Sequence, residues 1–213
     1  VPYYPGLPEF DIEQTIINYM ENGMQYLRYD DIVGISREQV KKTVVLMLDT
    51  SGSMHGDLLL NAALTTAVLS YAMQKDNTSI VLFSSEAYTL KNMNEQKSVV
   101  DIINNILDVE AVGFTNISAG LIRGVKQLKS IKSSRKFGIL ISDGFYNRGP
   151  NPMNYAKYFP KLHVIGIPHP ERTKAKQGQE FCKQLAKTGK GLYLPVKNYF
   201  EIPRMLMKLI AKT

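Results

Sequence analysis

Short runs of apolar residues alternate with amphipathic segments along most of the chain. The apolar runs predict strands over residues 43–48, 79–84, 86–90, 137–142, 162–167 and 191–195. Five of these runs are apolar almost throughout, as in strands buried on both faces of a sheet, while the more polar run is predicted as an antiparallel edge strand. The amphipathic segments predict helices over residues 58–74, 98–107, 118–131, 152–159, 180–187 and 200–212. This alternation predicts a doubly wound α/β fold, with a mainly parallel sheet and helices on both faces.

The N-terminal part of the chain follows a different pattern. Asp11 can cap a helix, with Gln14 placed for a capping box and Gly23 as a stop signal. The residues after this helix mix charges with isolated apolar side chains. We therefore predict an N-terminal extension over residues 1–42 that packs on a main domain of residues 43–213.

The composition of the chain indicates where the protein is located. The chain has 213 residues, of which 44% are hydrophobic and 21% charged, and no apolar run is long enough to span a membrane. No signal-peptide pattern is visible, although a chain that begins with Val1 can be a processed product or a piece of a longer protein. The single cysteine, Cys182, fits a reducing compartment. We therefore expect a cytoplasmic location.

The net charge of +7 raises the question of nucleic-acid binding. Lys126 and Lys129 alternate with the apolar residues Val125, Leu128 and Ile131, as they would on the solvated face of an amphipathic helix. No recognised nucleic-acid-binding motif accompanies them. The charge pattern therefore does not predict specific binding to nucleic acid.

The most informative motif lies directly after the first strand of the main domain. Asp49, Ser51 and Ser53 place oxygen atoms on alternate residues, and Gly52 lets the backbone turn sharply between them. Such oxygens suit a small divalent cation, because Mg²⁺ prefers oxygen ligands and usually takes only one or two carboxylates. Mn²⁺ and Ca²⁺ accept similar ligands, so the choice of metal stays open at this stage.

Two further segments could complete a metal site. Thr115 precedes a predicted helix, and Asp143 follows another apolar strand. In an open doubly wound sheet, ligands bind outside the carboxyl ends of the strands, where the connections switch direction. Alternatively, the run Asp49-Thr50-Ser51 simply caps a helix and Asp143-Gly144 forms a turn, but a cap would not require the distant Thr115.

The combination Asp-x-Ser-x-Ser, then Thr, then Asp resembles the metal-ion-dependent adhesion site of von Willebrand factor type A (VWA) domains. The matching residues are Asp49, Ser51, Ser53, Thr115 and Asp143. This resemblance covers residues 43–213 and implies a Rossmann-like domain that binds Mg²⁺. Ser51 and Ser53 would hold the metal directly, joined by Thr115 in a high-affinity state, and the two aspartates would act largely through bound waters.

The resemblance also implies one coordination position that stays open to an Asp or Glu of a partner protein. Neutral hydroxyl ligands leave positive charge on the metal, which favours an incoming carboxylate. The candidate partner contacts around this position are Met54, His55, Gly113, Phe114 and Gly144. The family often has two glycines before the threonine, whereas here Phe114 follows Gly113. Phe114 can be a buried anchor of the loop or an exposed contact for the partner. His55 is expected at the start of a helix and not as a ligand.

An enzyme is the alternative from another class of function. An aspartate after the first strand also occurs in haloacid-dehalogenase-type phosphatases, in which Asp49 would be the nucleophile. The residue two positions on would then be an acidic proton donor, but here it is Ser51, which cannot act as a general acid near neutral pH. The chain also lacks the glycine-rich loops that bind phosphates. We therefore expect a domain without catalytic activity.

The N-terminal segment favours one group within the family. The run from Phe10 to Ile16 looks like the segment that precedes the VWA domain in CoxE-like proteins and in the magnesium-chelatase D-subunit type. The run from Leu48 to Met54 is also typical of these prokaryotic forms. Members of that group work with MoxR-type AAA+ ATPases in chaperone-like assembly or metal insertion. The resemblance thus implies an intracellular adaptor with such a partner. An extracellular or surface adhesion module is the alternative.

Overall fold

The structure of the chain is a computed structural model that describes residues 2–5, 9–23, 26–35, 41–52, 57–109, 113–169 and 171–212. The chain divides into two compact units, Val1–Val40 and Lys41–Thr213. The packing of the N-terminal extension on the main domain stays a prediction.

The described residues of the N-terminal unit form an α-helix and a short two-stranded sheet. Its elements are β1 (Phe10–Asp11), α1 (Ile12–Glu21), a 3₁₀ turn (Tyr29–Asp31) and β2 (Val33–Gly34). The strands β1 and β2 pair antiparallel. Asp11 caps α1, because its carboxylate accepts a hydrogen bond from Gln14 N at 3.0 Å. The Gln14 side chain donates to Asn18 Oδ1. In the predicted capping box the Gln14 side chain would instead bond to the backbone N of Asp11, so the hydrogen bond to Asn18 within the helix takes its place.

The main unit is built on a six-stranded sheet of described residues. Its strands are β3 (Lys42–Asp49), β4 (Asn77–Phe83), β5 (Ala87–Lys91), β6 (Arg135–Ser142), β7 (Leu162–Gly166) and β8 (Lys190–Pro195). Their order across the sheet is β5-β4-β3-β6-β7-β8. Every neighbouring pair is parallel except β4 and β5. This sheet, with its antiparallel edge strand, confirms the predicted Rossmann-like fold class.

Helices cover both faces of the sheet. They are α2 (Asp57–Ala72), α3 (Val99–Leu107), α4 (Ile117–Lys129), α5 (Met153–Ala156), α6 (Arg172–Thr188) and α7 (Ile202–Lys212), the last preceded by a 3₁₀ turn (Tyr199–Glu201). The core on one face joins α2, α3 and α7 to the sheet, and the core on the other joins α4, α5 and α6. Neighbouring residues of β3 alternate between these cores, with Leu46 in the first and Met47 in the second.

The winding of the sheet reverses at β3. The chain passes from β3 to β4 and β5 on one side, and then crosses to β6 on the other side. Leu48 lies beside Ile141 in the parallel register, so the carboxyl ends of β3 and β6 are neighbours. Helix α4 approaches these strands closely because Gly124 has no side chain, and a Cβ there would lie 2.5 Å from Met47 Sδ. A crevice at such a reversal is where doubly wound folds bind ligands.

Candidate metal centre

Asp49 ends β3 and is held in place from two directions. Its side chain is 1% exposed. Oδ2 accepts a hydrogen bond from Ser142 Oγ at 2.7 Å, and Oδ1 accepts one from Ser51 N at 3.1 Å. Ser142 is the last residue of the neighbouring strand β6. The carboxylate is therefore fixed both by its own loop and by the adjacent strand.

Asp143 follows β6 and begins the second loop of the site. Its Oδ1 accepts a hydrogen bond from Phe145 N at 2.9 Å, which closes a short turn around the aspartate. Gly144 at the centre of this turn has φ +76° and is buried, and a Cβ there would lie 2.3 Å from Gly178 O in α6. The close approach of the turn to α6 therefore requires glycine at position 144.

Thr115 belongs to the third loop, which leads into α4. Its backbone N donates to Asn147 Oδ1 at 2.9 Å, and its carbonyl oxygen accepts from the backbone N atoms of Asn147 and Arg148 at 3.1 and 3.2 Å. These three hydrogen bonds join the loop to the segment that follows Asp143. Gly52 N also donates to Gly113 O at 3.4 Å, which joins the same loop to the one after Asp49. The three loops thus meet at one edge of the sheet.

The two aspartates of the site place like charges close together in a buried environment. Asp143 is 5% exposed, and Asp49 is almost fully buried. Burial, and next the negative charge of Asp143, raise the pKa of Asp49 to about 7, although hydrogen bonds from Ser51 and Ser142 act in the opposite direction. A cation between the carboxylates would relieve this repulsion. The described donors therefore fit a divalent cation with oxygen ligands.

The hydroxyl residues of the predicted set divide into described and undescribed positions. Ser51 and Thr115 are buried at the same edge of the sheet as the aspartates. Ser53, Met54 and His55 lie outside the described residues. Within the described parts of the chain, no group of three His, Cys, Asp or Glu side chains could hold a metal. A cation at this edge would consequently depend on hydroxyl oxygens as well as on the two carboxylates.

Phe114 is an exposed aromatic residue in the loop that contains Thr115. Its side chain is 55% exposed, and the guanidinium carbon of Arg148 lies 5.8 Å from the ring centroid. The Phe114 backbone N donates to Ser85 Oγ at 3.0 Å, and Gly113 before it has φ +93°. The structure therefore contradicts the buried anchor, one of the two interpretations that the sequence left open, while the contact with a partner stays a prediction.

Three residues that support the site were not predicted from the sequence. Ser142 fixes Asp49, Asn147 fixes Thr115, and His169 Nε2 lies 3.9 Å from Asp143 Oδ2. The Nδ1 atom of His169 accepts a hydrogen bond from Glu171 N at 3.0 Å. The position of Ser142 directly before Asp143 was the one available signal. The other two act from loops whose approach depends on tertiary packing.

The sheet and its helices define a doubly wound α/β domain. The three loops of the site lie at the carboxyl ends of β3 and β6, where domains of this class have their ligand-binding crevice. Residues 7–157 match the family described as "VWA domain containing CoxE-like protein". The chain therefore belongs to this family, whose VWA domain is a protein-interaction and adhesion type of module. The match begins within the N-terminal unit, in agreement with the resemblance of that segment to CoxE-like proteins.

Known relatives and structures agree with this assignment. Inter-alpha-trypsin inhibitor heavy chain H3 of Bos taurus is 29% identical over an alignment covering 52% of this chain and 14% of the relative. This chain thus spans only a small part of the length of that relative. The vWF domain of the type V pili tip protein Mfa5 from Porphyromonas gingivalis superimposes with a TM-score of 0.65 at 13% identity, covering 83% of this chain and 96% of that one.

An aerotolerance-related membrane protein from Bacteroides fragilis has a similar fold. It superimposes with a TM-score of 0.63 at 19% identity and covers 81% of this chain and 100% of that one. At such identities, both structural similarities show the fold alone. Among the described residues of the present chain, no helix is both long and apolar enough to cross a membrane. The cytoplasmic location stays a prediction.

Proposed function

We propose that the main domain binds a partner protein through a divalent cation, most simply Mg²⁺, and that an Asp or Glu of the partner binds to this cation. One observation carries the proposal. Asp49 and Asp143 are both buried at neighbouring strand ends, and burial, followed by the charge of Asp143, raises the pKa of Asp49. A buried pair of like charges is unfavourable for folding unless a cation or a proton accompanies it. A functional requirement for the cation explains why the pair is present.

Hydroxyl and carboxylate side chains would have different roles in binding such a cation. Ser51 and Thr115 would offer hydroxyl oxygens, and the sequence motif indicates Ser53 as a third hydroxyl ligand. Asp49 and Asp143 would balance the charge, each held by hydrogen bonds that fix its orientation. When bound, the cation would supply the positive charge that attracts a carboxylate of the partner. Mn²⁺ and Ca²⁺ accept the same oxygen ligands as Mg²⁺.

We infer no catalytic activity for this site. A phosphatase of the haloacid-dehalogenase type needs an acidic residue two positions after the nucleophilic aspartate, and Ser51 occupies that position. The purified protein should therefore not hydrolyse a phosphate ester in the presence of Mg²⁺. Turnover that disappears in Asp49→Asn would overturn this inference and support the enzymatic alternative.

We further propose that the partner is a MoxR-type AAA+ ATPase and that the chain is a cytoplasmic adaptor. Membership of the CoxE-like family and the N-terminal segment support this choice. The adhesion alternative has weaker support, because the likeness to a pilus tip protein shows the fold alone.

A binding experiment with purified proteins tests both parts of the proposal. The chain is immobilised and exposed to the MoxR-type ATPase of the same organism, with Mg²⁺ present throughout because the ATPase itself uses Mg²⁺. The unmodified chain should retain the ATPase, Asp143→Ala should not, and Lys208→Glu on α7 should behave like the unmodified chain. Equal retention by Asp143→Ala would contradict the metal-dependent mechanism. No retention by any form would contradict the adaptor role.

A further inference from the structure

A groove runs along the outer face of α4 and begins beside the candidate metal centre. It consists of two depressions of about 390 Å³ and 420 Å³, which share Ile122 and Lys126 in their walls. The first depression begins at Ser85 and Asn116, and the second ends at Tyr158. The stretch of α4 from its start to Lys129 is roughly 20 Å long, which matches about six residues of an extended peptide.

Hydrogen bonds tie the groove to the loop that contains Thr115. Ser85 Oγ accepts from Phe114 N at 3.0 Å, and Ser85 O accepts from Asn116 Nδ2 at 3.2 Å. Asn116 also caps α4, because its Oδ1 accepts from Ala119 N at 3.1 Å. The first depression therefore begins at Asn116, the residue next to Thr115 of the candidate metal centre.

The floor of the groove is apolar although α4 already has a buried face. Leu121 and Leu128 pack in the core of the domain. Ile122, in contrast, is 48% exposed, and Tyr158 across the second depression is 58% exposed. Exposed apolar side chains that line one concave surface are typical of a site that binds another protein.

The rim of the groove is basic. The charged side chains that line the two depressions are Arg123, Lys126, Lys129 and Glu86. Three of these four are cationic, and Lys157 lies next to the groove with its Nζ 5.6 Å from the Tyr158 ring centroid. An apolar floor between basic side chains complements an acidic segment that also carries aliphatic or aromatic residues.

We propose that this groove binds an acidic, partly apolar segment of the same partner protein that offers its carboxylate to the metal. The identity of the two partners rests on the proposed function, whereas the groove itself does not require the metal. The segment would lie against Ile122 and Tyr158, with its carboxylates toward Lys126 and Lys129. Two adjoining contacts on one chain would add their free energies, since the second binding event becomes intramolecular.

The probe is a short fluorescein-labelled peptide in which glutamate and leucine alternate, titrated against the complete chain and followed by fluorescence anisotropy. Ile122→Asp and Lys126→Glu should each weaken binding about tenfold, because they reverse the chemistry of the floor and the rim. Val100→Asp on the exposed face of α3 and Lys208→Glu on α7 are the matched controls and should bind as tightly as the unmodified chain. All four positions are exposed, so the variants should fold normally.

Further arms of the experiment separate the possible outcomes. Replacing the glutamates of the peptide by glutamine, or its leucines by serine, should abolish binding, whereas EDTA and Asp143→Ala should leave binding of this peptide intact. Equal peptide binding by Lys126→Glu and Lys208→Glu would contradict the proposed binding site in the groove, but it would not affect the proposed metal centre. Tighter binding of a single-stranded oligonucleotide that Lys126→Glu abolishes would assign the groove to nucleic acid instead. Self-association that Ile122→Asp abolishes would assign it to a second copy of the chain.

Discussion

Ser142 donates a hydrogen bond from its Oγ to Oδ2 of Asp49 at 2.7 Å, across the boundary between β6 and β3. Both side chains are buried. The same hydroxyl oxygen accepts a hydrogen bond from Gly144 N at 3.1 Å. One serine thus holds the carboxylate of the first loop and the beginning of the second, and it couples the two halves of the candidate metal centre.

Replacing Ser142 with alanine should weaken metal binding without preventing folding. The variant loses the donor to Asp49, and residues that orient metal ligands typically change metal affinity by about 10–100-fold. The control is Ser79→Ala in β4, which removes a buried hydroxyl that donates to Lys91 O at 2.8 Å far from the site. Both variants should lose about 1–2 kcal/mol of unfolding free energy, but only Ser142→Ala should lose Mg²⁺ affinity in a calorimetric titration. Equal Mg²⁺ affinity in both variants would contradict the coupling role.

Asp49→Asn should stabilise the metal-free protein and abolish its stabilisation by Mg²⁺. Asparagine keeps an oxygen for Ser51 N but removes one of the two like charges, so the repulsion from Asp143 disappears. Thermal unfolding in EDTA near pH 8 should shift upward by about 2–4 °C for each kcal/mol gained. Addition of Mg²⁺ should then raise the midpoint of the unmodified chain and leave that of the variant unchanged. A variant that is less stable in EDTA would show that the carboxylate is a structural group.

Gly144→Ala should disrupt the site more than an alanine substitution nearby. A Cβ at position 144 would lie 2.3 Å from Gly178 O, and the backbone has φ +76°. A Cβ at Gly52 would meet only Gly113 O at an ordinary 3.6 Å. Gly144→Ala should therefore lose roughly 3 kcal/mol or more in denaturant unfolding, and Gly52→Ala should lose less than about 1 kcal/mol. Similar losses in the two variants would contradict the tight packing of the Asp143 turn on α6.

The strand ends of the site could be predicted because they follow from local patterns. Asp49 and Asp143 each follow a continuous apolar run, and the carboxyl ends of parallel strands meet at one edge of a sheet. The hydrogen bond between Ser142 and Asp49 could not be predicted, because it depends on which strands become neighbours and in which register. The exposure of Phe114 likewise depends on a hydrogen bond to Ser85, which is distant in sequence.

The apolar pattern predicted most element boundaries closely, but α5 ends at Ala156, whereas the pattern predicted a helix to residue 159. Helix α6 begins at Arg172, whereas the pattern predicted a start at residue 180. Its first half is polar and includes Gly178, so it carries no apolar periodicity. Only packing against the Asp143 turn explains a glycine there, since a Cβ at Gly178 would lie 2.0 Å from Asp143 O.

Buried His163 should make the stability of the domain fall in mild acid. Its Nδ1 accepts a hydrogen bond from Leu192 N at 3.1 Å, and its Nε2 has no partner among the described residues. Burial, and next the charge of Lys161, lower its pKa from 6.5 to about 4. The unfolded chain therefore binds more protons between these values, so this contribution is complete above pH 6.5 and is lost as the pH falls toward 4.

Urea unfolding as a function of pH tests this contribution. The free energy of unfolding of His163→Gln should decline less steeply with falling pH than that of the unmodified chain. The difference between the two proteins should shrink by about 2 kcal/mol between pH 6.5 and pH 4. Parallel curves would show that another group controls stability in this range.

Calorimetric titration of Mg²⁺ into the metal-free chain is the decisive experiment for the proposed metal centre. The unmodified protein should bind one ion saturably and Asp143→Ala should not, while the folded control Lys208→Glu should bind normally. Mg²⁺ should also raise the unfolding midpoint of the proteins that bind it and of no others. The absence of saturable binding in the unmodified chain, or unchanged binding in Asp143→Ala, would contradict the assignment of a metal centre to this edge of the sheet.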